Sequence, residues 1–279
     1  MKKILLPWDA DNFPQGAFQF IKLLRVHESL SAKGIFFTPV NTKQPNSIDH
    51  MPITEPFVNQ LKEKEEQIVA QSKAKFIQQC DNYRIQYDIQ DDYEAWDGDL
   101  FVKESRFSDL LVIGQEFFSS DVSREQPNSF MQEALHESEC PVVIVPETFK
   151  TIDRIAVAYD GGKESIFAVK QFCYLFAQFT DLPVEFIYIK NEDSDDIPDG
   201  DLLRKYASWH FDSLAAFKLH FDPTKHFGAW LKLKRNVLLV AGSYARSAAS
   251  NLLNPSFADQ VIQNHSNLIF IAHSSYKAV

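Results

Sequence analysis

The chain has 279 residues, 45% apolar and 24% charged, enough for one large core or two of roughly 140 residues each. A formal net charge of -10 excludes a general affinity for nucleic acid or anionic membranes, which needs clustered Lys and Arg. Cys80, Cys140 and Cys173 are widely spaced with no C-x-x-C pair, and Pro7 and Asp9 cut the apolar opening well short of a signal sequence, so a cytoplasmic location is expected.

In chain order, Ile4 to Asp9 reads as a buried strand ending in an aromatic residue and an aspartate. Ala17, Ile21 and Leu24 then fall at helical spacing. A strand is predicted near Gly34 to Val40, a Pro-interrupted loop from Asn41 to Pro56, and a long helix carrying Val58, Leu61, Ile68, Phe76 and Cys80. A strand near Tyr83 to Ile89 follows. Leu110 to Gly114 reads as a strand stopping at glycine, followed by a polar loop, a helix at about 129 to 138, and a closing strand from Val142 to Val145.

The same design then recurs. Ile155 to Asp160 repeats the first strand at an offset of 151 residues, and the stripe returns as Ala168, Phe172 and Leu175. A strand near Val184 to Ile189, an acidic stretch from Asn191 to Asp201, a short helix near Leu202 to His210 and a strand near Ser213 to Leu219 follow. Leu238 to Gly242 repeats the glycine-ended strand at an offset of 128, so the second copy lacks 23 residues in its middle. A helix at about 256 to 264 and a strand from Leu268 to Ile271 close it. Strand-helix alternation predicts parallel sheets with helices on both faces.

Val157 to Ser165, Asp109 to Gly114 and Cys140 to Pro146, in this order and recurring once per half, resemble the first, fourth and closing strands of the universal stress protein family. The resemblance implies an α/β fold of two tandem Rossmann-like domains, 1–148 and 152–279, each a five-stranded parallel sheet with ligand at the carboxyl ends of the strands. It also implies that the two closing strands pair within the chain as a built-in dimer.

Nucleotide-binding members carry a loop of the form G-x2-G-x9-G-[S/T], whose glycines let backbone amides approach phosphate. From Gly114, Phe117 and Pro127 replace the second and third glycines, and Ser129 lies near the hydroxyl position. From Gly242 and Ser243, the replacements are Ala245 and Pro255, with Ser256 at the hydroxyl position and Arg246 as a substitute phosphate contact or an exposed loop residue. Proline has no N–H to donate, and a β-carbon blocks close approach. Asp9 and Asp160 match the aspartate beside the adenosine in the family; each also suits a turn or helix cap.

The acidic residues of the 193–201 stretch lack the alternation and closing Glu of a calcium loop, and His220 and His226 lack helical metal-pair spacing, so no metal is expected. Cys140 reads as a buried thiol. Trp8, Phe117 and Phe118 are expected near the first crevice, as a partner surface or as rings plugging a disused pocket. The expectation is a non-catalytic stress-response binding or regulatory protein with degenerate nucleotide sites and no cofactor, compatible with a homodimer or protein partner. The alternative is an adenine-nucleotide (ATP or AMP) sensor acting through the second half.

Overall fold

The computed structural model describes residues 1–37, 55–90, 98–118, 134, 135, 137–189, 196–219, 234–242 and 267–274. Apolar runs too continuous for a half-exposed sheet become central strands. β4 (Leu110–Gly114), β5 (Val142–Val145), β9 (Val237–Ala241) and β10 (Leu268–Ile271) are buried at every position. With β1 (Lys2–Asp9), β2 (Leu30–Phe37), β3 (Gln86–Ile89), β6 (Arg154–Tyr159), β7 (Val184–Ile189) and β8 (Leu214–Leu219), they form one sheet in the order β3-β2-β1-β4-β5-β10-β9-β6-β7-β8. Within each half every strand pair is parallel, and the second half repeats the first half's strand order.

The expected pairing of the closing strands is present. β5 and β10 run antiparallel, with Ile144 opposite Ile269, Val143 opposite Phe270 and Val142 opposite Ile271. This antiparallel joint points the carboxyl ends of the two halves in opposite directions. Packing also crosses it: Phe20 stacks edge-on to Phe149 and Phe176, and Phe176 meets Phe270 with centroids 5.5 Å apart. Lys2 bonds Glu28 in its own half and the Leu175 carbonyl in the other. A Phe ring gains roughly 1.5–3 kcal/mol from full burial, so this cluster holds the halves together more firmly than surface ion pairs would.

Helices α1 (Gln15–His27), α2 (Glu55–Tyr83), α4 (Lys163–Leu175) and α5 (Gly200–Ala207) pack against one face of the sheet. The buried positions of α1 and α4 keep the 151-residue offset, with Ala17 matching Ala168, Phe18 matching Val169, and Ile21 matching Phe172. On the opposite face Phe101 of α3 (Gly98–Arg106) packs with Ala134 and Leu135. The missing middle of the second copy is visible as helix length: α2 has 29 residues and its counterpart α5 has 8. The helix expected at 256–264 lies outside the described residues.

The largest departures from expectation are two boundaries and one helix. β2 begins at Leu30 rather than Gly34, because Ser31 and Lys33 alternate with buried Leu30 and Ala32 at strand period; Lys33 is accommodated by Glu104 at 2.7 Å. Tyr83 ends α2 rather than opening β3, and the chain turns at Arg84, whose φ is +53°. α3 was not expected at all; its short apolar face, Phe101 and its neighbours, falls below the length at which periodicity is readable.

Candidate functional site

The carboxyl ends of β1 and β4 form the crest of the first half, and those of β6 and β9 form the crest of the second, where open α/β sheets hold ligands. Asp9 is buried, and its carboxylate accepts the Asp11 amide at 2.9 Å and the Asn12 side-chain amide at 3.1 Å. Asp160 likewise accepts the Gly162 amide at 2.8 Å. Both carboxylates thus bond the turn that leads to the following helix. This is the turn role rather than the cap, since Pro14 and Gly162 are the N-cap residues and neither helix start has a side-chain cap. Gly161 has φ +79°, a conformation that strains any residue with a β-carbon, and it packs beneath Pro198.

Beyond these turns the two crests diverge. A β-carbon at Gly114 would sit 2.7 Å from the Glu116 carboxyl group, which folds back over the end of β4. The Glu116 oxygens are buried and make no hydrogen bond with a described residue. The Gln15 amide at the start of α1 and the residue's own amide favour the charged carboxylate. Burial pushes its pKa up to about 7, with the Glu147 charge adding to the shift against those amides. A β-carbon at Gly16 would lie 2.0 Å from the Pro146 carbonyl oxygen, so α1 abuts the end of β5. Glu116 is the residue that sequence reasoning passed over. The signal was present: an acid between Gln115 and Phe117-Phe118, inside a loop that should face an anion.

In the second half, a β-carbon at Gly242 would meet the backbone of Glu164 and Ser165 at 2.7–2.9 Å. The end of β9 is thus pressed on the first turn of α4. Glu164 accepts the Ser274 amide at 2.7 Å and its hydroxyl at 2.5 Å. Burial opposes the charge, but these hydrogen bonds outweigh it and hold the carboxyl below its usual range. Two residues past Gly242 stands Tyr244, so no carboxylate occupies the position equivalent to Glu116.

Trp8 is 1% exposed, stacks on Phe76, meets Phe36 at a tilt, and donates to the Ser72 hydroxyl at 2.8 Å. It belongs to the core, which removes it from a partner surface. The backbone of Phe117 and Phe118 lies in a 3-10 turn, Gln115–Phe118, where the second glycine of a phosphate loop would stand. Ser129, Ser243, Ala245, Arg246 and Ser256, with Pro127 and Pro255, lie outside the described residues. Cys140 is buried, and desolvation pushes its thiol up to about 12. Cys80 is raised to about 12 and Cys173 to about 11 by the same cause, so none is a thiolate at neutral pH. Among the described residues no cluster of His, Cys, Asp and Glu is placed to hold a metal, and no helix is long and apolar enough to cross a membrane.

No family model matches the sequence, and no curated protein matches it. Solved structures do. A universal stress protein of Archaeoglobus fulgidus superposes with a TM-score of 0.63 at 18% identity, covering 98% of this chain and 96% of that one. The fold is that of the universal stress proteins. A protein assigned to the same family from Pseudomonas aeruginosa superposes at 0.58 and 10% identity, covering 98% and 93%. A universal stress protein family protein of Arabidopsis thaliana with AMP bound aligns over 52% of this chain at 12% identity; its TM-score of 0.34 is too low to transfer the ligand. Within the universal stress protein fold, Asp9, Gly114, Asp160 and Gly242 all lie at the carboxyl ends of strands, as the resemblance implied.

Proposed function

We propose that this chain is a non-catalytic binding or regulatory protein of the stress-response type, whose first half has given up nucleotide. The observation that carries the reading is the Glu116 carboxylate folded over Gly114. With its pKa raised to about 7 the side chain is part charged at neutral pH, so an approaching anion is repelled by the ionised form or forces it to keep its proton. In either form the side chain fills the space over Gly114, where the loop of a nucleotide-binding protein supplies amides. The missing glycines at Phe117 and Pro127 support the same conclusion from the sequence. The three thiols are buried and protonated, and Asp9 and Asp160 each bond the turn that follows them, which supports the non-catalytic reading.

The second half favours a separate reading, an adenine-nucleotide sensor, because Gly242 is retained and no acid follows it. Calorimetry separates the two. The non-catalytic, nucleotide-free reading expects no heat with millimolar ATP or AMP and no nucleotide turnover. Binding with unit stoichiometry that Ser256→Ala weakens would establish the sensor. Turnover lost on changing Asp160 or Gly242 would replace both by an enzyme.

A further inference from the structure

Among the described residues β3 and β8 are the outer strands of the sheet, and their edges differ. β3 is four residues long with Gln86, Tyr87 and Asp88 exposed, and Asp88 faces Lys33 at 3.5 Å, so shortness and charge blunt that edge. β8 is six residues long, with Lys218 its one charged residue and Phe217 47% exposed. A longer, mostly apolar edge is a template for another strand. The Val184 amide donates to the Ser213 carbonyl at 2.9 Å, so the odd-numbered residues of β8 turn their backbone groups toward β7. Leu214, Ala216 and Lys218 therefore turn theirs outward.

A cavity of about 510 Å³ lies between β8 and α5, and Ala216, Phe217 and Lys218 all line it. Consecutive strand residues point to opposite faces, so three in a row line one cavity only where it runs along the edge of the strand. On the helix side a β-carbon at Gly200 would meet, among the described residues, only Ile197 within 4 Å, at 3.7 Å. The start of α5 thus leaves room beside the edge.

We infer that the β8 edge pairs with the β8 edge of a second copy of this chain, antiparallel about a two-fold axis through Ala216. The strand is complementary to itself in that register. Ala216 exchanges both backbone bonds with Ala216 of the second copy, Leu214 lies beside the Lys218 stem, and each Phe217 ring covers the other copy's Ala215. No like charges stand opposite. Moving the axis to Phe217 would set ring against ring but lose one hydrogen-bonded pair. Two acids and two bases, Asp196, Asp201, Arg204 and Lys218, share the cavity wall, so it carries no net sign to draw a charged peptide instead. The pairing repeats at the rim the antiparallel join that β5 and β10 make at the centre, and two chains then share one continuous sheet.

The inference does not rest on the proposed function, and no nucleotide enters its test. Sedimentation equilibrium of the full chain should show a reversible monomer–dimer equilibrium between micromolar and millimolar concentration, since one strand pair is a small interface. Ala216→Pro removes an outward N–H and keeps the bonds to β7, so it should abolish the dimer while thermal unfolding stays near the parent. Phe217→Ala should weaken association about three- to tenfold. Should the proline variant not fold, a mixture of the Ala215→Cys and Phe217→Cys chains decides. Under mild oxidation they should cross-link to each other and neither to itself, because positions 215 and 217 stand opposite across the axis. A chain that stays monomeric at millimolar concentration overturns the inference, as does a dimer indifferent to Ala216→Pro or cross-linking of each cysteine variant only with itself.

Discussion

The two crests share a strand order and an aspartate turn, yet their glycines face different neighbours. Gly114 makes room for the end of a long side chain, Glu116; Gly242 makes room for backbone, at Glu164 and Ser165. A glycine at the same topological position therefore serves a movable plug in one copy and a fixed helix contact in the other. Duplicated halves can keep a motif residue for packing alone, so a surviving glycine is weak support for a surviving ligand.

Substitutions that act on one crest and not the other sharpen this contrast. The largest effect is expected from Glu116→Gln. With a folded-state pKa near 7 and an ordinary value of 4.5, the folded protein holds the proton more tightly than the unfolded chain. The stabilisation is therefore fully present below pH 4.5 and is lost as pH rises to 7, by about 3 kcal/mol in all. Urea unfolding of the variant should lack that slope and leave it more stable than the parent at pH 8; an unchanged slope would remove Glu116 as the plug. Next, Gly242→Ala should cost about 1–3 kcal/mol because backbone must shift, whereas Gly114→Ala only displaces a carboxylate and should cost under about 1. Equal costs would break the contrast. Smallest, Asp9→Ala and Asp160→Ala should each lose about 1 kcal/mol, the usual net value of a side-chain hydrogen bond that closes a turn. Similar losses in thermal unfolding would show that this part of the design is common to both halves.

The fold was largely legible in advance because the two copies report on each other. Runs such as Leu110 to Gly114 and Leu238 to Gly242 are ambiguous singly and informative as a pair, and the 151-residue offset predicts the buried faces of both first helices. The antiparallel joint was legible only through the family resemblance. α3 was missed because a helix of 9 residues with two buried side chains carries little periodicity. At the site, the loss of the phosphate loop could be read from Phe117 and Ala245, since proline and β-carbons have fixed consequences. The direction in which Glu116 folds could not be read, because it depends on where α1 and Glu147 come to lie.

The three thiols have a use of their own. Cys80 lies in α2, Cys173 in α4 and Cys140 beside the joint, all of them sealed from water and protonated. An alkylating reagent reaches each one only when its surroundings open, so peptide-resolved labelling times the opening of either half separately. One unbroken sheet stitched by Phe20, Phe176 and Phe270 should make Cys80 and Cys173 react at a common rate; two rates would mean that each half breathes alone.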